Sequence, residues 1–404
     1  MSSGDWAWLP LSPARACREP EWIHYNLASF FVTGRLRRMR TWGIMRPEHR
    51  HRRGELVSAA HWENQEANAT ETTRTDLPIL FLYNLDPEWD PPFAQEVVDE
   101  IESLTADLRA LGHRVTPVVV GDDDVDAALA SHHPNDNVVF NWCEELPNVP
   151  RSDARVASVL ERLGYAYTGA TSAVLAMSWN KPRVKRMLER CGLPTPRGRV
   201  YTSAQVNDWS RFPAIVKPAW EHCSVGVSRE SVVLTTEGLR QRVEQILEEH
   251  AQPALVEDFI DGREFRVCLW GNGSLEVLPV AEMGYAAFDD VRDRLCVYDA
   301  KFDPESRPFN EIELLLPAPL TEDERRRLCD IAIPAYRAMG CRDYGRLDLR
   351  LRGDTFYILD VNPNPDLASD GSLIVGAEEA GYSQAGVVSR LVNLAAARHP
   401  RFGR

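Results

Sequence analysis

Short apolar runs alternate with amphipathic stretches from residue 77 to residue 163, and this alternation limits the folds open to the chain. The runs at 77–85, 115–120 and 138–142 are apolar over most of their length, which is typical of buried parallel strands. The stretches with helical spacing lie at 93–111, 125–129 and 154–163. Strands that alternate with helices form βαβ units. This part of the chain is therefore predicted to be an α/β domain with a parallel sheet.

The pattern changes after Arg199, where strands follow one another with few helices between them. Strands are predicted at 212–217, 230–235, 253–259, 263–270 and 274–283, with one helix at 237–249. A helix is predicted at 321–339, because it begins with the capping-box pattern Thr321-Glu322-Asp323-Glu324. Two more strands are predicted at 345–350 and 356–361, and a last helix at 383–397. The second half is therefore predicted to be α+β with an antiparallel sheet.

Residues 1–75 differ from the rest of the chain. Eight arginines lie between Arg35 and Arg53, and five tryptophans lie between Trp6 and Trp62. So many tryptophans are unusual for a disordered tail. The sequence leaves two alternatives open: the extension docks on the body, a partner or a substrate, or it is a loosely ordered appendage.

The composition excludes several classes of function. A net charge of -14 argues against a general nucleic-acid surface, which needs a basic face. No apolar run approaches the roughly 20 residues of a membrane span, and the N-terminus lacks the pattern of a secretory signal. The eight cysteines form no CxxC pair, so reduced thiols and a cytoplasmic location are expected. The oligomeric state stays open, with a homodimer as one option.

Lysine is rare in this chain, since four of the 46 basic residues are Lys and the others are Arg. A compact ammonium on a thin stem reaches a crowded oxygen that the planar guanidinium fork does not. Lys181 and Lys185 lie in a predicted helix at 181–191, Lys217 ends a predicted strand, and Lys301 closes an apolar stretch at 297–301 that is predicted as a strand. We expect Lys181, Lys217 and Lys301 to converge on a polyphosphate; the alternative is scattered surface lysines.

Two connections between predicted strands carry polar groups that suit a nucleotide. Ser224 and Gly226 fit a short loop whose backbone N–H groups close on phosphate oxygens, although no Walker A pattern is present. Backbone groups near Glu257 and Phe259 are placed to contact an adenine edge, and Glu264 is placed to accept ribose hydroxyls. The alternatives are an ordinary strand connection and an edge hairpin with solvated acids.

The last two predicted strands carry an acid–amide cluster. Arg346 and Asp348 share one strand face by period-two alternation, as do Asp360 and Asn362 on the next strand. If the strands pair, two carboxylates and an amide form an all-oxygen cluster, which Mg²⁺ binds together with substrate phosphates. The alternative is that these side chains point to solvent from a half-exposed sheet.

In order and spacing, these motifs resemble the ATP-grasp superfamily, and within it the D-alanine–D-alanine ligase-like branch, from about residue 77 to residue 397. The resemblance implies an N-terminal α/β domain at 76–172, a central lid subdomain at 173–260 and a catalytic subdomain at 261–400, after the extension at 1–75. It implies that ATP and Mg²⁺ are bound. The implied phosphate-binding residues are Lys181, Lys217 and Lys301, covered by the loop of Ser224, Val225 and Gly226. The resemblance implies that Glu257, Phe259 and Ile260 line the adenine and that Glu264 binds the ribose. The implied metal ligands are Asp348, Asp360 and Asn362. Arg346 is implied to lie where the oxyanion forms.

The resemblance also implies the reaction. A carboxylate is phosphorylated by ATP to an acyl phosphate, and an amine then displaces phosphate, so the expected partners are a small carboxylate and a small amine. The substrate side departs from the family: His222 replaces a glycine, Cys223 a serine, Phe302 a tyrosine and Asp366 a turn glycine, and no glycine-rich turn follows the first strand. The expected substrate-contacting residues are Glu221, His222, Cys223, Asp366, Asp370 and Ser372. The two aspartates favour a cationic amine or a donor larger than alanine. The alternatives are a D-alanine–D-alanine or depsipeptide ligase, and a nucleotide-binding regulatory protein without catalysis.

Overall fold

The computed structural model describes residues 73–303 and 305–403. The predicted extension therefore lies outside the described residues, except for its last three positions. The side chains of Lys301 and Phe302 also lie outside what the structure describes. Arg74 joins the body through its backbone, since its N–H donates to Asn393 Oδ1 over 2.8 Å and its carbonyl accepts from Asn393 Nδ2 over 2.9 Å.

The N-terminal part is a four-stranded sheet in the order β2-β1-β3-β4, and all three of its strand pairs are parallel. Its strands are β1 (Pro78–Asn84), β2 (Arg114–Val120), β3 (Val138–Trp142) and β4 (Ala166–Tyr167). Its helices are α1 (Pro91–Ala110), α2 (Val125–Leu129) and α3 (Asp153–Leu163). The predicted α/β fold with a parallel sheet is confirmed for this part of the chain. Alternate residues of β1 pack into cores on opposite faces of the sheet: Phe81 against α1, and Leu80 against α2 and α3.

A second, antiparallel sheet has the order β5-β8-β6-β7 and lies between residues 198 and 258. It follows the helices α4 (Ser172–Ser178) and α5 (Lys181–Arg190), and it consists of β5 (Gly198–Tyr201), β6 (Ala214–Pro218), β7 (Val232–Val233) and β8 (Ala254–Asp258), with α6 (Thr236–His250) packed on it. The strand predicted at 230–235 is limited to two residues, because a 3₁₀ turn ends at Ser231 and Thr235 caps α6.

The third sheet has the order β12-β11-β9-β13-β14, with β10 paired to β9, and all its pairs are antiparallel. Its strands are β9 (Arg263–Gly271), β10 (Leu275–Val277), β11 (Ala281–Gly284), β12 (Glu313–Leu315), β13 (Asp343–Arg352) and β14 (Thr355–Asn362). The helices of this part are α7 (Asp299–Phe302), α8 (Arg307–Glu311), α9 (Glu322–Met339), α10 (Ser372–Glu379) and α11 (Gln384–Ala396).

Two strand predictions in this part are wrong. The strand expected at 274–283 is two strands, because Pro279 has no N–H to donate to a ladder. The stretch at 297–301 is not a strand, since helix α7 begins at Asp299. The capping box of α9 is confirmed: Glu324 N–H donates to Thr321 Oγ1, and Thr321 N–H donates to the Glu324 carboxylate.

Among the described residues, no helix is both long and apolar enough to cross a membrane. The cysteines in the same ranges are all free thiols. Burial raises the pKa of Cys268 to about 11 and that of Cys341 to about 12, so both are protonated and inert at neutral pH.

Candidate active site

Strands β13 and β14 pair in the register that brings the predicted acid–amide cluster together. Arg346 lies opposite Asn362, and Asp348 lies opposite Asp360. The register shifts after Asp348, so that Leu349 pairs with Ile358 and Leu359 is the extra residue of a bulge. The two carboxylates and the amide therefore lie on one face of the sheet, across its last two strands.

Arg346 binds Asp348 through two parallel hydrogen bonds. Nε donates to Oδ1 over 2.9 Å and Nη2 donates to Oδ2 over 3.0 Å, while Nη1 lies 3.5 Å from Ser372 Oγ at the start of α10. Burial lowers the pKa of Arg346, but the Asp348 carboxylate outweighs burial and raises it above its usual range. The guanidinium is a fixed cation, which suits the stabilisation of an oxyanion.

Helix α5 delivers Lys181 to the second carboxylate. The Asn180 side chain caps the helix by accepting from Arg183 N–H over 3.0 Å, and Lys181 Nζ lies 3.0 Å from Asp360 Oδ2. Burial alone would raise the pKa of Asp360, but Lys181, His222 and Lys217 hold it below its usual range. Asp360 is therefore ionised at neutral pH, as a metal ligand must be.

Lys217 and Lys185 share one buried carboxylate. Lys217 Nζ lies 2.5 Å from Glu257 Oε2 and Lys185 Nζ lies 2.7 Å from Glu257 Oε1, and the Glu257 side chain is 4% exposed. Burial would raise the pKa of Glu257, but the two ammonium groups lower it to about 2. A cleft beside this triad is lined by Lys181, Val184, Lys185, Leu188, Thr195, Lys217, Leu255, Glu257, Leu359 and Asp360. Three of the four lysines thus meet at one cleft, while the side chain of Lys301 lies outside the described residues.

The loop at 219–227, called the lid loop below, lies against this cleft. Lys181 N–H donates to Ala219 O over 3.2 Å. Cys223 and Ser224 have φ values of 60° and 61°, and Ser224 Oγ donates to Cys296 O over 3.2 Å. Gly226 has a φ of 69°, and a Cβ there would lie 2.6 Å from His250 Nε2. Glycine suits this position because it adopts a positive φ without strain and has no Cβ to collide with His250.

The lid loop also contacts the N-terminal domain. Arg151, in the loop before α3, forms a salt bridge with Glu221, and Gln252 Nε2 donates to the same Glu221 oxygen over 2.7 Å. The His222 ring meets the Trp179 ring edge to face at a centroid distance of 4.3 Å. Burial, followed by the Lys181 charge, lowers the pKa of His222 to about 4, so the imidazole is neutral at pH 7. Arg151 was not predicted, because sequence spacing gives no signal for a contact 70 residues away.

Three of the four predicted nucleoside-binding residues surround Arg350, while the fourth, Glu257, lies with Lys185 and Lys217 instead. This guanidinium is 2% exposed, donates to Glu264 Oε2 from Nε over 2.8 Å and from Nη2 over 2.6 Å, and donates to Ile260 O over 2.9 Å. It lies 4.7 Å from the Phe259 ring centroid, and Tyr285 OH donates to the same Glu264 oxygen over 3.0 Å. Arg350 was also missed, although its period-two spacing from Arg346 and Asp348 places it on the same strand face.

A second cleft lies between the carboxyl end of β3 and the loop after β14. It is lined by Asn141, Trp142, Cys143, Glu144, Tyr344, Asn364, Pro365 and Leu367. Tyr344 precedes Arg346 by two residues, so both point to the same sheet face, and its OH donates to Asn364 Oδ1 over 2.7 Å. Burial raises the pKa of Tyr344, with further contributions from Asp343, Glu144 and Asp366. Because Glu144 lines this cleft and Asp366 lies near it, it is called the acidic cleft below.

The predicted aspartates of the 365–372 loop are in different settings. Asp366 Oδ1 accepts from Ala368 N–H over 2.8 Å beside the acidic cleft. Asp370 is partly buried just before α10, the helix that begins at Ser372.

The donor set fits Mg²⁺ in its chemistry. Asp348 and Asp360 are ionisable oxygen donors in register, and Asn362 Oδ1 accepts from Asn364 N–H over 2.9 Å and so retains a second lone pair. Among the described residues, no group of three His, Cys, Asp or Glu side chains could hold a metal. Two carboxylates with an amide, completed by phosphate oxygens, is the pattern that magnesium uses.

Comparisons with known proteins found a matching family model, similar sequences and a similar fold. Residues 195–393 match the family model described as D-ala D-ala ligase C-terminus. The chain is 31% identical over 306 residues to the uncharacterized protein y4sG of Sinorhizobium fredii, covering 74% of this chain and 88% of the relative. It is 30% identical over 301 residues to a D-alanine–D-alanine ligase of Gluconobacter oxydans, covering 74% and 93%. The crystal structure of the Bacillus anthracis D-alanine–D-alanine ligase complexed with ATP superposes with a TM-score of 0.59 at 18% identity, covering 78% of this chain and 97% of that chain.

Proposed function

We propose that this chain, which belongs to the D-alanine–D-alanine ligase-like family of the ATP-grasp superfamily, joins an amine to a carboxylate larger than D-alanine. The protein is an ATP-dependent carboxylate–amine ligase that uses ATP and Mg²⁺ and acts on small molecules. The observation that carries the ligase chemistry is the register of β13 and β14, which sets Arg346, Asp348, Asp360 and Asn362 beside Lys181.

The reaction has two steps. A carboxylate oxygen of the donor attacks the γ-phosphorus of ATP, the bond to the β-phosphate oxygen breaks, and ADP leaves. The amine nitrogen then attacks the acyl carbon, the bond to phosphate breaks, and the amine gives up a proton as the amide forms. Both steps need little covalent chemistry from the protein and depend on positioning and charge.

The side chains support distinct roles in these steps. Lys181 and Lys217 would hold phosphate oxygens, and the lid loop would exclude water above them. Asp348, Asp360 and Asn362 would hold Mg²⁺, which when bound neutralises phosphate charge. Arg346, fixed by Asp348, would face the oxyanion that forms as the amine attacks.

The acidic cleft supports the substrate proposal. Glu144 and the neighbouring Asp366 bring negative charge to a cavity that opens two residues along β13 from Arg346. A substrate whose reacting group lies at Arg346 would extend into this cleft. Negative potential there favours a substrate with a cationic group.

An ADP-release assay tests this proposal. Purified protein with Mg-ATP is supplied with D-alanine alone, or with pools of larger amino acids and carboxylates plus amines, and products are identified by mass spectrometry. We expect little ADP from D-alanine alone and more from a larger carboxylate with an amine. Robust D-alanyl-D-alanine formation would refute the substrate proposal. ATP binding without ADP release in any pool would support a regulatory protein instead.

A D-alanine–D-alanine or depsipeptide ligase is the second candidate. This candidate is supported by relatives that are named D-alanine–D-alanine ligase and that match this chain over most of their own length. Against it, the lid loop has His222 and Cys223 where the resemblance expects a glycine and a serine.

We also propose a cytoplasmic location and no nucleic-acid or membrane partner. Free cysteines are typical of a reducing compartment, and the net charge of -14 disfavours phosphate backbones. A homodimer stays a prediction, which light scattering of the purified protein would test.

A further inference from the structure

Lys185 is a buried lysine for which the reaction has no direct use. It lies one helical turn after Lys181 on α5, and its Nζ contacts Glu257 Oε1 over 2.7 Å and Thr195 Oγ1 over 2.8 Å. Thr195 is itself fixed, because its hydroxyl donates to Ile358 O over 3.0 Å. A Cβ on Gly198 would come within 2.6 Å of Lys185 Cε, so the stem is tightly enclosed. The side chain therefore has one position, directed at Glu257.

Lys217 is in a different situation. Both lysines line the cleft where phosphate oxygens would bind, but the Lys217 ammonium, 2.5 Å from Glu257 Oε2, also faces the carboxylates of Asp360 and Asp348. A phosphate bound in the cleft would draw Lys217 away from Glu257. A buried carboxylate that loses its only cation is strongly destabilised, so Lys217 can turn to phosphate only if Glu257 keeps another partner.

We propose that Lys185 is the permanent counter-ion of Glu257, a positioning residue that allows Lys217 to exchange Glu257 for a phosphate oxygen of ATP. This inference rests on the proposed function, since it assumes that ATP binds in this cleft. It assigns the two lysines different roles: Lys217 binds the nucleotide, and Lys185 keeps the carboxylate ionised while Lys217 does so.

The charges around Glu257 agree with this division. Glu257 lies on β8, between β5 and β6. Gly198 on β5 lies opposite Glu257, and β6 carries Lys217. Lys185 reaches Glu257 from α5. Asp360 and Asp348 on the neighbouring sheet act on Lys217, and with Glu257 they raise its pKa against the effect of burial. Lys217 thus faces anions on two sides, while Lys185 is held by Glu257 and a neutral hydroxyl.

The test compares Lys185→Met with Arg186→Met by isothermal titration with Mg-ATP and with adenosine. Arg186 is exposed on the same helix, so its substitution removes one positive charge without touching Glu257. In Lys185→Met, Glu257 retains Lys217, and we expect ATP affinity to fall about 10- to 100-fold, the scale of one hydrogen bond to a charged group. Adenosine has no phosphate to recruit Lys217, so its affinity should change much less.

Proton uptake gives a second readout that a purely structural role would not change. When ATP draws Lys217 away in Lys185→Met, Glu257 is left without a cation, its pKa rises, and it takes up a proton. Titrations in buffers of different ionisation enthalpy measure the protons taken up when ATP binds. We expect Lys185→Met to take up more protons than Arg186→Met. The ionisation of ATP itself contributes equally to both variants and cancels in the comparison. In a Glu257→Gln background, Lys185→Met should cause no extra uptake.

Three outcomes decide the question. Equal loss of ATP and adenosine affinity, without extra proton uptake, would show that Lys185 is only structural and overturn the inference. If Lys185→Met does not fold, Thr195→Val replaces it in the test. This variant keeps both charges but removes the hydrogen bond that holds Lys185. Unchanged ATP affinity in Thr195→Val would count against the inference. Wild-type protein that binds no ATP would instead contradict the proposed function.

Discussion

Substitution of Asp360 by Asn is the most direct test of the site, because it keeps the side-chain shape and removes one charge. In the structure this carboxylate contacts Lys181 Nζ over 3.0 Å and lies in register with Asp348. The variant loses an ionised metal ligand and leaves Lys181 facing a neutral amide. Loss of one preorganised electrostatic contact typically lowers turnover about 100- to 1,000-fold, or about 2.7–4 kcal/mol of transition-state stabilisation.

The assay is ADP release at saturating ATP over a magnesium titration. We expect Asp360→Asn to lower kcat by at least about 100-fold and to shift the magnesium midpoint to higher concentration. Asp354→Asn is the matched control: it makes the same change in the hairpin between β13 and β14, where the Asp354 side chain is 93% exposed. Wild-type turnover and magnesium dependence in Asp360→Asn would refute the assignment of the cluster as the metal site.

Other changes separate the remaining roles. Lys217→Ala should weaken ATP binding and impair turnover, and unchanged values of both in a nucleotide titration would remove it from the phosphate site. Lys301→Ala should impair turnover in the same ADP-release assay, whereas normal turnover would contradict its predicted phosphate-binding role. Arg346→Ala should keep ATP affinity within a few fold and lose ligation; weak binding with normal turnover at saturation would show that it is misplaced. Because the folded-state pKa of Glu257 is lowered from 4.5 to about 2, its stabilising contribution is present above pH 4.5 and is lost as pH falls towards 2. Urea unfolding across this window should therefore show a smaller loss of stability in Glu257→Gln than in the wild type.

The order of elements was predictable where periodicity was strong. The apolar run at 77–85 and the helix at 93–111 correspond to β1 and α1, because a buried strand and a long amphipathic helix leave clear patterns. Short elements were missed or misassigned, such as β4 with two residues and α7 with four. In such short segments, contacts with distant residues outweigh local propensity.

The side chains with local motifs were also predictable. Arg346 and Asp348 at i and i+2, followed by Asp360 and Asn362, needed only strand alternation and one assumed pairing, which the register of β13 and β14 confirms. Arg350 obeyed the same alternation but was overlooked, because an arginine on a strand has no chemical signature until its partners Glu264 and Ile260 are seen.

The sequence by itself determined the fold class, the oxygen cluster and two of the lysines that meet at the cleft, Lys181 and Lys217, because period-two spacing and rare residue types are local properties of the chain. Only the tertiary structure decided that Glu257 is shared by Lys185 and Lys217, that Arg151 meets Glu221 on the lid loop, and that Glu144 lines the same cleft as Asn364. These contacts join residues 40 to 220 positions apart. Their existence depends on how three sheets pack together, which no local pattern in the chain encodes.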